Sequence, residues 1–510
     1  MSLPTPLIAR SETLRPRWAR RMRNAVSSTA GKALACAAVL VVAIAIGAAH
    51  PLALRHAAHP AGTGAPGLTA AARSPNAYGH ALANLERAHW IELREGKAIF
   101  LTTWVPPGRA AAERAIRGPS SQVRDGLGPR FNATSCEACH FRDGRGGPPP
   151  DLRDLRGPGP AGAPAPPAPR LLRLGLVGLD GRLVADPRYG LQLQDRALPP
   201  AAPEARIEIA FRAIAGRYPD GTPYALQAPE ITVRDLALGP LAAGIRRSLR
   251  SPPSLIGLGL LEAVPDAEIL ALADPDDADH DGISGRVNRV RDPRTGARSL
   301  GRFGWKASQP SLWLQNATAL REDLGVTTPV FPDAPDAPPV GLAAAPELDA
   351  ADLVRLTRYT RLLGPPARRD LDDPSVVRGE QLFTATGCAT CHRRQLTTGD
   401  ATDLPEPLPE LAHQTIAPYT DLLLHDLGDA LADDRPDGDA TGREWRTAPL
   451  WGLGLLRIVT GDVRLLHDGR ARSPEEAILW HGGEAQAARD RFTQLAHRDR
   501  AAVLRFLESL

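Results

Sequence analysis

The chain is poor in the residues that most often build a metal or redox site, with five Cys and two Met in 510 residues. Met stands only at positions 1 and 22, so no thioether side chain is available to a metal beyond the amino-terminal segment. Cys36 lies inside an apolar run and the other four Cys fall in two pairs, which leaves none for a structural disulfide. A surplus of one charge is also missing. The formal net charge is +3, and Arg10, Arg15, Arg17, Arg20, Arg21, Arg23 and Lys32 against Glu12 place the whole surplus in the first 32 residues. Beyond them acids and bases are interspersed with no basic stripe, which argues against nucleic-acid binding. Aromatic residues make up only 5%, whereas Pro (50) and Gly (47) are abundant, as expected of a loop-rich protein.

One uninterrupted apolar run stands out, Ala33 to Ala49, directly after the basic head. It reads as an export signal, either cleaved after Gly47-Ala48-Ala49 or retained as an anchor, so residues 1–49 are assigned to a signal or anchor segment. The positive flank places the rest of the chain across the membrane, with membrane contact only through residues 33–49.

The four remaining Cys carry the strongest signal. They form Cys136-Glu137-Ala138-Cys139-His140 and Cys388-Ala389-Thr390-Cys391-His392. Such a pattern offers two thiols for thioether bonds to the vinyl groups of one haem, and the adjacent His can turn back to coordinate its iron. Two covalently bound c-type haems are expected, with His140 and His392 on the irons. The alternatives are a redox dithiol and a four-thiolate zinc site; neither uses the following His.

Residues 50–75 read as a linker and Gly157 to Pro169 as a second low-complexity loop. A helix is expected from Asn76 to Phe100, with His80 and His89 as surface or packing residues. Ile207, Ile209 and Phe211 alternate with polar or small residues, and Pro219-Asp220-Gly221-Thr222 supplies a turn, which predicts a small β insert. Asp349 to Leu363 is amphipathic, with Leu353, Leu356, Thr360 and Leu363 on one stripe. Val503, Phe506, Leu507 and Leu510 mark a terminal helix.

Three stretches recur in the same order in both halves. Phe131-Asn132-Ala133-Thr134-Ser135 is echoed by Phe383-Thr384-Ala385-Thr386-Gly387. Leu255 to Leu261 is echoed by Leu450 to Leu456, and Lys306-Ala307-Ser308-Gln309-Pro310 by Arg470-Ala471-Arg472-Ser473-Pro474. The expected fold is mainly α: two tandem cytochrome-c-like haem domains with a small β insert. The boundaries are 76–340 for the first domain with its insertions, 341–374 for a connecting helix and 375–510 for the second domain.

Gly128 to Gly147, Gly379 to Gly399 and Tyr419 to Gly483, above all Glu444-Trp445-Arg446-Thr447-Ala448-Pro449 through His481-Gly482-Gly483, resemble the bacterial di-haem oxidoreductases. These are relatives of the di-haem cytochrome c peroxidases and are also described as thiol oxidoreductases. The resemblance runs over most of residues 76–510. It implies a periplasmic protein in which one haem stores an electron received from a donor protein and the other reacts with a small oxidant such as hydrogen peroxide. In those relatives the electron-storing haem usually has a Met ligand after a Glu-Glu-Ala-Val helix start. Here Glu475-Glu476-Ala477-Ile478 leads to His481, which takes the Met position and gives His392/His481 coordination; a helix-end His without a ligand role is the alternative. Imidazole in place of thioether lowers the potential.

The first half offers no His at the equivalent place, so its haem is either open or filled from elsewhere. His425 and His467, each near an Asp, are candidates for that position, or for a structural or supporting role. Trp305 is either a relay between the haems or a packed core residue. The relatives' catalytic Glu is absent at Leu312-Trp313-Leu314-Gln315, and Glu322 and Asp323 are candidate substitutes for the acid–base task. Asp277, Asp279 and Asp281, with Gly282 at the sixth position, resemble the start of a calcium loop that reads Asn288 where Glu is usual. A pure electron-transfer cytochrome with no substrate of its own is the rival to the peroxidase-like reading, and oxidation of a protein partner is a third.

Overall fold

The computed structural model describes residues 68–69, 73–118, 120–146, 170–293, 295–333, 345–401, 404 and 406–510, all within the unit Gly64–Leu510. The expected export segment, most of the 50–75 linker and the 157–169 loop lie outside the described residues. Among the described residues no helix is long and apolar enough to cross a membrane.

Six helices carry the architecture: α1 (Trp90–Phe100), α2 (Leu312–Leu324), α3 (Ala350–Leu362), α4 (Pro374–Ala385), α5 (Pro474–Trp480) and α6 (His497–Ser509). Asp349, Ser311, Asp373 and Ser473 cap the starts of α3, α2, α4 and α5 through their side-chain oxygens, with Pro at the first position of α4 and α5. Each of these caps satisfies a backbone N–H that the helix cannot. α1 buries Leu93, Gly96, Ile99 and Phe100; α4 buries Val376, Gly379, Leu382 and Phe383, at the same spacing.

That shared spacing is the key to the fold. α1 crosses α3, and α4 crosses α6, each at a glycine. A Cβ on Gly96 would fall 2.1 Å from Arg355 O, and one on Gly379 would fall 2.0 Å from Ala502 O. Only a residue without a Cβ permits backbones to approach so closely. Four residues on, Phe100 meets Tyr359 at 5.3 Å between ring centroids and 51°, while Phe383 meets Phe506 at 5.2 Å and 56°. Gly257 N–H donates to Leu363 O and Gly452 N–H to Leu510 O, just beyond α3 and α6. The Leu255 and Leu450 stretches are therefore equivalent in space as well as in letters.

The other two echoes fare differently. Phe131 is not the counterpart of Phe383; it pairs with Arg196 in a two-residue ladder, and Phe100 holds the matching place. The Lys306 and Arg470 stretches do correspond, but two residues off the letter match. The bridges Phe303–Gln309 and Leu465–Ala471, with the caps Ser311 and Ser473, set the register. α3, expected as a connecting helix, closes the first half as α6 closes the second.

The chain is mixed rather than mainly α, with 31% helix and 20% strand in many small sheets. Most strands are two to seven residues long, too short for a period-two pattern to stand out in loop-rich sequence. The exceptions are β2 (Arg206–Arg217) and β3 (Pro223–Arg234), which follow β1 (Leu171–Val177) and precede its antiparallel partner β4 (Arg246–Arg250). β2 and β3 pair over twelve positions about a turn at Gly221, whose φ is +85°. The expected helix from Asn76 begins only at Trp90. Residues 76–89 are turns and a short 3-10 segment, and His89 pairs with Glu410.

Candidate functional site

The second Cys-x-x-Cys-His lies just after α4, and the α4–α6 crossing sets its position. Phe383 packs 6.2 Å from the His392 ring, as Phe100 packs 6.5 Å from His140. His392 faces a cavity of about 1320 Å³, mouth included, lined also by Cys388, Cys391 and His481. α5 delivers His481 at its carboxyl-terminal cap. Nδ1 of His392 lies 2.9 Å from Tyr419 O and Nδ1 of His481 lies 2.6 Å from Ala477 O. A carbonyl can only accept, so each Nδ1 carries the proton and each Nε2 keeps a lone pair for a metal. Burial lowers the pKa of His481 and brings those of His392 and His140 down to about 4, so all three rings stay neutral near pH 7.

The thiols do not suit a redox dithiol. Burial pushes all four up, Cys136 to about 12, whereas a reactive dithiol needs a depressed pKa. No disulfide joins them. Among the described residues no cluster of potential metal ligands contains more than one of these Cys, which removes the four-thiolate zinc alternative.

A haem also brings two carboxylates, and the cavity wall has cations to receive them. Arg145, five residues after His140, lies half-buried in it and Arg446 is buried there. Arg145 donates to Leu466 O; Arg446 donates to Gly304 O and Thr447 O. Among the described residues neither has a carboxylate within ion-pair distance, and burial lowers both to about 10. The residues present therefore fit the group that the two motifs imply. Trp305 stands in the same wall, its indole donating to Ser251 O and its ring 5.0 Å from the Arg145 guanidinium.

His425 and His467 line the same cavity. His425 is sandwiched, with Nε2 2.9 Å from Asp421 and Nδ1 2.7 Å from Glu484, beside Cys391 Sγ at 3.8 Å. Burial opposes its charge, but the bonds to Asp421, Cys391 and Glu484 outweigh that and hold it up to about 12. An imidazolium with both nitrogens engaged has no lone pair for iron. His467 stacks on Trp445 at 3.7 Å and 9°, and burial lowers it to about 4.

At the first motif the structure separates the two acid candidates. Glu322 is engaged by Arg173 and its carbonyl accepts from Gln192 and Gln194. Asp323 is half-buried, close enough for its charge to raise the Cys136 and Cys139 thiols further, and Gln192 donates to its Oδ1 at 2.8 Å. Burial lifts Asp323 to about 6. Its backbone carbonyl also ties α2 to Asn132 and Ala133, ahead of Cys136.

The acidic loop gathers Asp274, Asp277 and Asp279, with ligand atoms within 4.8 Å of one another, rather than Asp277, Asp279 and Asp281. Asp281 turns to cap Ile283 N, and the three clustered carboxylates accept from the N–H groups of Ala278, Asp279, Asp281 and Gly282. No local pattern marks Tyr419 O, Ala477 O, Arg145 or Glu484, because each acts through a tertiary contact; Arg446 stands in the Glu444–Pro449 stretch that carries the resemblance, without its role being marked.

Residues 240–510, just over half of the chain, match the family described as di-haem oxidoreductase, putative peroxidase. The match includes Cys388, Cys391, His392, His481 and α2, and begins after the first Cys pair. No curated protein matches the chain. Among solved structures, the hydrazine synthase of Kuenenia stuttgartiensis, in a form pressurised with 20 bar xenon, is 18% identical. That match covers 33% of this chain and 58% of the other at a TM-score of 0.23, too low to bear on the fold. The chain belongs to the di-haem oxidoreductase family that the longer match describes.

Proposed function

We propose that the protein is an exported di-haem c-type oxidoreductase of two cytochrome-c-like units, with peroxidase-type activity toward a small oxidant such as hydrogen peroxide. The observation that carries this reading is one cavity lined by Cys388, Cys391, His392 and His481, with both Nδ1 atoms fixed by backbone carbonyls. When bound, two covalent haems supply one-electron chemistry. The chain's own part is to hold them unequally. His392 and His481 supply an imidazole each to the second unit. In the first, the Ser311 and Ser473 caps align His481 with Ala319, leaving His140 without a matching partner. Asp323, at about 6, can hold or release a proton near neutrality. Trp305 and Arg145 bridge from the His140 loop to the His392/His481 cavity, the place where a relay would act. The donor is a protein outside this chain, and the Ala33–Ala49 run supports a periplasmic setting.

The test is spectroscopic. Purified protein should keep haem stain after denaturation and show one low-spin and one cyanide-binding, high-spin haem. Two low-spin haems in every redox state would transfer the protein to the class of pure electron carriers.

A further inference from the structure

We propose a second binding site, for a compact phosphate-class oxyanion, in the pocket lined by Arg73, Arg369, Arg457, Arg472 and Arg505 together with Glu508. The pocket holds about 880 Å³ of empty space including its mouth. Five guanidinium groups line this concave surface, and among the described residues four carboxylates answer them, Asp370, Asp373, Glu476 and Glu508. Arg73 and Arg505 both donate to Asp370 at 2.7 Å, with Asp373 3.3 Å from Arg505, and Arg472 is held by Glu476. Among the described residues, Arg369 and Arg457 have no carboxylate partner.

Arg369 decides what the site is for. It is 5% exposed, yet its Nη1 has no hydrogen-bond partner, while Nη2 donates to Glu508 O at 2.7 Å. A buried guanidinium donor left unpaired is costly unless something enters to accept from it. Burial and the neighbouring Arg73 and Arg505 charges press its pKa down, against the pull of Tyr78 and Asp370. An anion in the pocket would relieve this. Planar guanidinium forks match the oxygen geometry of phosphate, and several of them favour a multiply charged group over chloride. The acidic face of a protein partner is a poorer fit, because Arg369 lies below the surface. Leu453 and Pro474 line both this pocket and the His392/His481 cavity, so the two sites share a wall.

The experiment is thermal denaturation of the holoprotein with inorganic phosphate, ionic strength being matched with potassium chloride. Binding to the native state should raise Tm with a saturable dependence on phosphate. R457Q, at an exposed position, should weaken the phosphate effect at least ten-fold, and R369Q should do the same if it folds; R212Q, whose side chain pairs with Glu230 outside the pocket lining, should leave it unchanged. Vesicles of phosphatidylglycerol against phosphatidylcholine identify the source. Sedimentation only with the anionic lipid, lost in R457Q, points to a headgroup; phosphate binding without sedimentation points to a free anion. Phosphate no better than chloride, equal loss in R457Q and R212Q, or a response only to an acidic polypeptide would each overturn the proposal. Because the holoprotein is used, a cofactor edge already filling the pocket would also appear as absence of phosphate binding, and would overturn it. The readout needs no oxidoreductase activity, so this result and the haem reading stand or fall separately.

Discussion

Tyr218, at the turn of the β2–β3 hairpin, donates its hydroxyl to Glu475 at 2.7 Å, and Glu475 lies in the first turn of the helix that ends at His481. The hairpin belongs to the first half of the chain and α5 to the second. Three further contacts fix the join: Arg472 to Ala225 O at 3.1 Å, Arg500 to Asp220 at 2.7 Å, and the Arg500 guanidinium 3.9 Å over the Tyr218 ring. The insertion thus grips the element that presents His481. Y218F should cost about 1 kcal/mol of stability. It should also speed amide exchange in α5 relative to α4. Equal exchange in the two helices would show that the hairpin does not brace α5.

His481 itself gives a sharper outcome. With the proposed His392/His481 ligation, H481A should convert the His392 haem from low spin to a high-spin form that binds cyanide, whereas H481M should remain low spin at a higher potential. An unchanged spectrum in H481A would assign the ligand elsewhere.

The Gly96 and Gly379 crossings predict matched damage. An Ala at either position must push two helix backbones apart, at a cost of roughly 1–3 kcal/mol or more. Chemical denaturation of G96A and G379A measures it. Wild-type stability in either variant would mean that the helices do not cross there.

His425 predicts a stability profile. Its folded pKa is raised from 6.5 to about 12, so its contribution is full below pH 6.5 and fades as pH rises toward 12. Glu484 is held below its usual 4.5, since the bond to His425 outweighs burial, and its contribution fades in acid. Tm against pH should therefore fall on the alkaline side in the parent, and H425Q should flatten that fall. Parallel curves for the two proteins would contradict the ion triad.

Asp323 runs the other way from an ordinary paired carboxylate. Burial raises it from 3.8 to about 6, so its contribution is full below pH 3.8 and is lost as pH climbs through 6. D323N should gain stability relative to the parent above pH 6. If the side chain serves in proton transfer, the pH–rate limb near 6 should vanish in D323N and persist in E322Q. A limb surviving in D323N would remove Asp323 from that role.

The two Cys-x-x-Cys-His motifs were legible because the chemistry is local: five adjacent residues suffice. The place of His481 in the cavity wall beside His392 was legible from its position after Glu475-Glu476, while its ligation of iron belongs to the proposal. The Gly96–Tyr359 and Gly379–Phe506 crossings were hidden, because nothing in one helix names its distant partner. Letter matching succeeded at Leu255–Leu261, where a positive-φ glycine constrains the backbone. It failed at Phe131, where ordinary residues coincided. The helical bias of the sequence reading had the same origin. Helices of a dozen residues display a period, but ladders of two or three residues do not.

α1 and α3 bring Gly96 to Arg355, whereas α4 and α6 bring Gly379 to Ala502. The first closure spans roughly twice the chain of the second, and doubling a loop adds only about 0.6 kcal/mol to its closure entropy. A clasp of this kind makes extra length between its jaws nearly free. The β2–β3 arm could be lengthened, shortened or exchanged for another module while the two clasped ends still find each other.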